Sequence, residues 1–211
     1  MAPEVQAACV VCGEPANNKC SACKSDTTSR QYCSKVCQVK DWSAHKKACK
    51  DAQNTNFEKK LARVAEIVQQ AYYKFRENTW DTPVIKIDDR DDALLIYDDV
   101  MLNKKKYSID FPHHLGTNDR SKKAILCAWA CNEPMAWLHD TLVGLLEGLN
   151  IKVEEVAVSL GAVSRKITFH DPFGNSDSNW PKFYHDVVRI TANKTKMQWI
   201  MDLSGAQYGI H

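Results

Sequence analysis

Apolar side chains recur at helical spacing between residues 57 and 75, and this is the longest regular pattern in the chain. Six of them follow one another at intervals of three or four residues: Phe57, Leu61, Val64, Val68, Ala71 and Phe75. Charged and amide side chains lie largely off this stripe, so the pattern predicts a connecting amphipathic helix at residues 51–80. Asn54 or Thr55 is expected to cap its start. Because the stripe is under three heptads long, we expect packing against the following domain rather than a coiled-coil dimer.

Shorter apolar runs, bounded by turn residues, predict strands in the rest of the chain. The predicted strands cover residues 83–87, 93–97, 153–160, 166–170, 186–191 and 198–203. The first two flank the acidic segment 88–92, which we expect to be a solvated hairpin turn. Residues 192–195 predict a second hairpin turn between the last two strands.

Two helices are predicted between the strands, at residues 121–130 and 135–149. Asn132 and Pro134 separate them, because Asn caps helices and Pro is tolerated in a first helical turn. The second helix is apolar on several faces and is expected to be buried. Helices and strands in this order predict an α+β fold class, with a compact α+β domain over residues 81–211.

Composition and charge narrow the class of protein. The chain has 211 residues, 44% of them hydrophobic and 26% charged, which is typical of a globular domain with a smaller module. A net charge of +2 gives no general attraction to nucleic acid or to an anionic membrane. No apolar run approaches the roughly 20 residues that cross a bilayer, and residues 1–6 lack the features of a secretory signal. We therefore expect an intracellular protein, in the nucleus, the cytoplasm or both.

Seven of the nine cysteines lie within the first 49 residues. Without a secretory signal, this crowding indicates metal ligation rather than disulfides. The candidate ligands, which include one histidine, are Cys9, Cys12, Cys20, Cys23, Cys33, Cys37, His45 and Cys49. Zinc takes four tetrahedral ligands, so eight ligands predict two closed structural zinc sites with no position left for a substrate. The zinc ions are expected to fold this module, because it has few large apolar residues.

The spacing of the last four ligands bears on which of them share an ion. Cys33 and Cys37, and likewise His45 and Cys49, are four residues apart, which places each pair on one face of a helix. In one continuous helix the outermost ligands are about 24 Å apart, so the two pairs need different ions. If Asp41 instead caps a second short helix, the chain folds back and this argument weakens. We favour a crossed arrangement, with the first and third ligand pairs on one ion and the second and fourth on the other.

The ligand order, together with Tyr32, Gln38 and Trp42, resembles the MYND zinc finger over about the first quarter of the chain. All eight ligand positions of that family's pattern are present. The resemblance implies the crossed pairing, a finger at residues 1–50, and a protein-interaction module that often binds short proline-containing peptides of transcriptional partners. The stretch 199–209 is similar to an ending shared by fungal MYND-finger proteins of unestablished function, which implies no activity.

Charge and aromatic content bear on the partner of the finger. Residues 1–50 carry eight Lys and Arg against four Asp and Glu, and two zinc ions on seven thiolates leave a net charge of about +1. We therefore expect a protein partner and no nucleic acid.

Trp42 is expected to pack over the metal sites, because a large aromatic side chain in so small a module usually belongs to the core. The alternative is that Trp42 forms the wall of a peptide groove.

The remaining cysteines support a second hypothesis, a cysteine-dependent acyl-transfer or hydrolase enzyme. Cys131 or Cys127, then His185, then Asp202 follow the order used in transglutaminase-like and papain-like thiol sites. Cys131 precedes a predicted helix, whose dipole lowers the pKa of a thiol, whereas Cys127 lies within a helix, where a buried thiol is usual. Many α+β domains contain these residues in this order and no local signature flanks Cys131. The sequence alone therefore assigns no catalytic residue.

Overall fold

The computed structural model describes residues 7–23, 29–99, 108–115 and 118–210. Residues 1–6, on which the absence of a secretory signal depends, lie outside these ranges. Contacts divide the chain into two units, Met1–Arg63 and Val64–His211. In the described part of the chain, no helix combines the length and apolar character that a membrane span requires.

The first unit combines short elements with one long helix. Strands β1 (Asn18–Lys19) and β2 (Gln31–Tyr32) pair antiparallel, and a 3-10 turn at Ser21–Cys23 follows β1. Its buried cluster consists mainly of cysteines with Tyr32 and Ala16. So small an apolar cluster agrees with a module that depends on metal for its stability.

Helix α1 runs without interruption through Lys35–Asn78 and is longer than the sequence predicts. The hydroxyl oxygen of Ser34 accepts the backbone N–H of Cys37 at 3.4 Å, which begins the helix there rather than at Asn54 or Thr55. No Gly or Pro occurs between residues 35 and 78 to interrupt it. The capping role considered for Asp41 is also wrong, because Asp41 lies inside the helix, where its carboxylate accepts hydrogen bonds from Tyr32 at 2.8 Å and Arg30 at 2.5 Å.

The second unit contains two sheets and two further helices. Its strands are β3 (Val84–Asp89), β4 (Ala93–Asp98), β5 (Ile151–Val158), β6 (Lys166–His170), β7 (Ser176–Ser178), β8 (His185–Ala192) and β9 (Gln198–Met201). One sheet has the order β3-β4-β6-β7 and the other the order β5-β8-β9. The helices are α2 (Asp119–Cys127) and α3 (Glu133–Leu145). Together with the finger and α1, these elements confirm the predicted α+β class.

Strand pairing includes both predicted hairpins and two pairings between distant strands, β4 with β6 and β5 with β8. Strands β3 and β4 pair antiparallel, as do β8 and β9. Strands β4 and β6 pair in parallel, with Ala93 opposite Lys166 and Tyr97 opposite His170. A parallel pair needs a crossover connection, which here contains α2, α3 and β5. Strand β7 was not predicted, because its Ser-Asp-Ser sequence has no apolar alternation.

The core of the second unit lies between the last turns of α1, helix α2 and the larger sheet. Leu94, Ile96 and Ile167 from β4 and β6 are completely buried, and each such side chain contributes about 1.5–3 kcal/mol. The expectation that α3 is buried is wrong: Trp137 on this helix is 63% exposed, and Leu142 is buried on the opposite side.

The acidic hairpin is less solvated than the sequence predicts. Asp89 lies at the end of β3, and its carboxylate accepts hydrogen bonds from the buried guanidinium of Arg165 and from the hydroxyl of Ser121 on α2. Arg165 also donates to the Ser121 hydroxyl oxygen at 3.2 Å. The charge of Arg165 is thus balanced by Asp89, and this cluster connects the hairpin, α2 and the start of β6.

Candidate metal centre and thiol site

The eight candidate ligands of the first unit form two groups of four. Cys9, Cys12, Cys33 and Cys37 make one tetrad, and Cys20, Cys23, His45 and Cys49 make the other. Within each tetrad the ligand atoms all lie within 4.8 Å of one another. This is the crossed arrangement favoured from the sequence.

Distances within the first tetrad fit a tetrahedral zinc ion. The sulfur atoms of Cys12, Cys33 and Cys37 are 3.5 to 3.8 Å apart. Four sulfurs bound to zinc at about 2.3 Å are separated by about 3.8 Å along each edge of the tetrahedron. The observed separations are therefore close to those that a bound zinc ion requires.

The second tetrad fits the same geometry with one nitrogen ligand. Sγ of Cys20 lies 3.9 Å from Sγ of Cys49, and Sγ of Cys23 lies 3.2 Å from Nε2 of His45. Nδ1 of His45 is buried without a hydrogen bond to any described residue. Nε2 is thus the nitrogen that faces the cysteines. The two tetrads are consistent with two zinc ions, both in closed sites.

Local structure explains how the ligands reach these positions. Helix α1 carries Cys37 in its first turn and His45 and Cys49 further along, and because the helix is continuous these ligands serve different tetrads. Cys9 lies in a tight turn in which its carbonyl accepts the N–H of Gly13 at 2.9 Å. Gly13 has φ +78, a conformation that residues with a side chain rarely adopt.

The electrostatics of the tetrads also favour a cation. Burial acts to raise the pKa of Cys9, but backbone N–H groups of Cys33 and Val11 outweigh it and lower the pKa to about 6. Burial, together with the neighbouring Cys20 and Cys49 thiols, raises the pKa of Cys23 to about 12. Four thiolates or three thiolates and an imidazole in one such space need a divalent cation to offset their repulsion.

A cleft lies on the exposed side of α1 in the first unit. Lys35, Gln38, Val39 and Trp42 line it, and its volume is about 320 Å³. The Trp42 ring lies 6.3 Å from the ring of His45, edge to face, yet 44% of Trp42 is exposed. Packing on the metal site therefore accounts for only part of this side chain, and the remainder forms a wall of the cleft.

In the second unit, the structure brings the predicted thiol-site residues together. Nε2 of His185, at the start of β8, lies 2.9 Å from both carboxylate oxygens of Asp202, which follows β9. Sγ of Cys131, in the loop between α2 and α3, donates to Oδ2 of Asp186 at 3.5 Å. The other ring nitrogen of His185, Nδ1, is buried and has no fully formed hydrogen bond to a described residue.

The groups around His185 change the pKa of its ring. Burial acts to lower its pKa, but the hydrogen bond with Asp202 and the interaction with the neighbouring Cys131 thiol outweigh burial and raise the pKa to about 9. His185 therefore carries a proton near neutral pH and can give it to a leaving group.

Of the two candidate cysteines, the structure favours Cys131. Cys127 is the last residue of α2 and is completely buried, and burial raises the pKa of its thiol above the usual range. Cys131 instead lines a cavity of about 230 Å³ together with the aromatic rings of Trp129, Phe183 and Tyr184.

Sequence reasoning missed two residues at this cavity. Asp186 contacts the thiol, and Gln207 lines the cavity from the 3-10 turn Gly205–Tyr208. The signal for Gln207 lay in its flanking glycines, which indicate a tight turn directly after Asp202. Nothing in the sequence around Asp186 marks it, because an Asp at the start of a strand is common.

Comparisons with known proteins concern the first unit. Residues 9–49 match the family model of the MYND finger. The chain is similar to ubiquitin carboxyl-terminal hydrolase 19 of Arabidopsis thaliana, with 47% identity over 51 residues. That match lies in the finger and covers 24% of this chain and 7% of the relative, so the chain spans far less than the relative's length. No solved structure matches the chain. The resemblance to a MYND finger is thus confirmed for residues 9–49.

Proposed function

We propose that the MYND finger at residues 9–49 binds a protein partner by accepting a short proline-containing peptide in the cleft beside Trp42. The observation that supports this is the exposed Trp42 ring, which lines the cleft with Val39 while its edge contacts the ligand His45. A MYND finger is typically a protein-interaction module, and this cleft supplies an apolar surface for such a role.

The chemistry of the cleft suits a proline-containing peptide. Proline-rich segments adopt an extended helix that is already ordered, and their rings pack on flat aromatic surfaces. Trp42 offers such a surface, and the neighbouring Gln38 amide can donate to a peptide carbonyl that has no partner within the extended helix. We propose an intracellular location in addition, because thiolate ligands persist in a reducing compartment.

Zinc binding and peptide binding are coupled in this proposal. Cys37, His45 and Cys49 anchor the same part of α1 that carries Val39 and Trp42. Loss of either ion therefore removes the support of the cleft. Because the net charge of the zinc-loaded finger is about +1, an electrostatic role toward nucleic acid has little support.

Fluorescence anisotropy with the full zinc-loaded chain tests the proposal. A panel of labelled proline-containing peptides is compared with matched peptides in which alanine replaces each proline. We expect Trp42→Ala to weaken binding by at least about tenfold, as is usual for a central aromatic contact. The matched control is Trp137→Ala, which removes an exposed tryptophan of the second unit. Equal binding by Trp42→Ala, or by the peptides without proline, contradicts the proposal.

A second candidate function is supported by the thiol site. In this hypothesis the chain is a cysteine-dependent acyl-transfer or hydrolase enzyme, with Cys131 as nucleophile, His185 as proton carrier and Asp202 as the group that orients the ring. The supporting observation is the pair of 2.9 Å contacts between His185 and Asp202 beside a cysteine that lines a cavity. A pair of this kind holds the imidazole in one orientation.

Iodoacetamide labelling of the native protein at neutral pH, mapped by mass spectrometry, tests the second candidate. We expect Cys131 to react faster than a free thiol and its rate to fall in His185→Gln, while Cys127 stays unlabelled. Retained circular dichroism shows whether His185→Gln is folded, and Asp202→Asn provides an independent variant of the same pair. If Cys131 reacts no faster than a small-molecule thiol, this candidate function is wrong.

A further inference from the structure

Gln207 is a buried amide that faces the cavity of Cys131. It lies in the 3-10 turn Gly205–Tyr208 and is only 1% exposed. Its Nε2 donates no hydrogen bond to any residue that the structure describes. An unpaired buried donor costs about 1–3 kcal/mol, so such a group usually has a partner. The second unit thus holds an unsatisfied donor on a residue that lines the cavity in which the thiol lies.

The orientation of this amide is determined by its neighbours. Oε1 of Gln207 accepts the backbone N–H of Trp129 and Nδ2 of Asn179, both at 3.3 Å. Asn179 is itself oriented, because its Oδ1 accepts the N–H of Ile167 at 2.8 Å. A half-turn of the Gln207 amide would point its two N–H groups at two other donors. Nε2 therefore has to lie on the side away from Trp129 and Asn179.

The same turn connects Gln207 with the His185 pair. The N–H of Ser204 donates to Oδ1 of Asp202 at 3.1 Å, so the residue that orients His185 also begins the turn that presents Gln207. On the other side, Trp129 lies two residues before Cys131. One short segment, residues 202–207, thereby contacts both the imidazole and the loop that carries the nucleophile.

We propose that Nε2 of Gln207 stabilises the oxyanion that forms when Cys131 attacks an acyl carbonyl. This inference rests on the second candidate function. Preorganised N–H donors in a water-poor site are the usual means of stabilising such an anion. The donor is unmatched in the resting site and gains its partner only as negative charge develops on the carbonyl oxygen, which is the condition for rate acceleration.

The proposed reaction has two stages, acylation of the Cys131 sulfur and hydrolysis of the resulting thioester. The Cys131 thiol gives its proton to the Asp186 carboxylate, which is its hydrogen-bond acceptor. The sulfur forms a bond to the carbonyl carbon while the C=O electron pair moves to oxygen, where Gln207 donates to it. The pair returns, the C–O or C–N bond to the leaving group breaks, and His185 supplies the proton that the leaving alcohol or amine takes. Water then attacks the thioester and gives one proton to His185, the C–S bond breaks to release a carboxylic acid, and the sulfur regains its proton from Asp186. A hydrolase of this kind needs no further reactant than water.

The cavity indicates the class of acyl compound. Trp129, Phe183 and Tyr184 provide aromatic walls, with the Trp129 and Phe183 rings 4.7 Å apart. The carboxylate of Asp186 lies beside the thiol and repels an anionic group at the reacting carbon. We infer that the site takes an uncharged ester or amide whose acyl side is apolar.

Two electrophilic reagents that react with the same sulfur distinguish a role of Gln207 in stabilising the oxyanion from an effect on the reactivity of the thiol. Iodoacetamide alkylates Cys131 without forming an oxyanion, whereas p-nitrophenyl acetate acylates it through one. Gln207→Glu keeps an oxygen that accepts from Trp129 and Asn179 but lacks the N–H donor, and Gln207→Met is an uncharged second variant. Gln198→Glu, on an exposed position of β9, is the matched control.

In both Gln207 variants we expect the rate of p-nitrophenyl acetate acylation, divided by the iodoacetamide rate at the same pH, to fall by about 100-fold. Gln198→Glu should leave this ratio unchanged. If both rates fall together, Gln207 only supports the Cys131 loop and the inference is wrong; if neither falls, it is wrong as well. If wild-type Cys131 is inert to iodoacetamide, or if Cys131→Ala is acylated at the wild-type rate, the candidate enzyme function itself fails.

Discussion

Both carboxylate oxygens of Asp202, the residue after β9, lie 2.9 Å from Nε2 of His185, the first residue of the neighbouring strand β8. This contact occupies one ring nitrogen, and the other, Nδ1, is buried without a hydrogen bond to a described residue. The pair therefore has a structural effect on stability and a chemical effect on the thiol, and the two effects are measurable separately.

The His185 and Asp202 pair should make stability depend on pH. The folded-state pKa of His185 is about 9, above the value of 6.5 for an ordinary His, so protonation favours the folded state. The stabilisation is fully present below pH 6.5 and is lost as the pH rises through 9, and it amounts to at most about 3 kcal/mol. Urea unfolding at a series of pH values should show this decrease in the wild type and a flatter profile in Asp202→Asn. An unchanged profile in that variant contradicts the assignment.

Gly205 and Gly144 of the second unit make a matched test of the Asp202 position. A Cβ added at Gly205 would collide with the carboxylate of Asp202, whereas a Cβ at Gly144 on α3 would meet nothing within 4 Å. We expect Gly205→Ala to displace the carboxylate and slow iodoacetamide labelling of Cys131. Gly144→Ala should leave the labelling rate unchanged. Equal rates in the two variants would show that the carboxylate does not influence the thiol.

Removal of a single ligand should separate the two zinc ions. Cys9→Ser removes one ligand from the first tetrad, and His45→Ala removes one from the second. We expect each variant to bind fewer than two zinc ions per chain, as measured by mass spectrometry under native conditions. Because each structural zinc contributes on the order of 10 kcal/mol, we also expect finger thiols that are protected in the wild type to react with thiol reagents. Cys127→Ser, outside both tetrads, should retain two ions.

The buried Arg165 should be sensitive to loss of its partner. Its guanidinium donates to Asp89 and Ser121 and is almost completely buried. Asp89→Leu leaves this charge without its carboxylate and should lower the free energy of unfolding by about 3 kcal/mol in chemical denaturation. The double variant Asp89→Leu with Arg165→Met removes both charges and should recover part of that loss. If the double variant loses more free energy of unfolding than the two single variants lose together, the ion pair does not explain the sensitivity of this site.

The sequence by itself determined the metal chemistry and the fold class. Ligand spacing is a local property: residues three or four positions apart lie on one turn or one helix face, so the eight ligands and their two closed sites follow from order alone. Helix and strand positions followed for the same reason, since the 3.6-residue and two-residue periods depend on neighbouring residues. Boundaries failed where a distant contact competed, as at Asp41, which bonds Arg30 and Tyr32 instead of capping a helix.

Only the tertiary structure decided which side chains meet over long distances. Three hydrogen bonds, Trp129 with Gln207, Ser121 with Arg165 and Asp89 with Arg165, join residues that are 44 to 78 positions apart. The same unit buries Cys127 and places Cys131 at a cavity with Gln207. Such contacts depend on the parallel pairing of β4 with β6 and on how the connecting elements pack. The periodicity of the sequence does not predict that pairing. Local order therefore identified the residue types of both sites, whereas the packing of the second unit selected Cys131 and oriented the amide beside it.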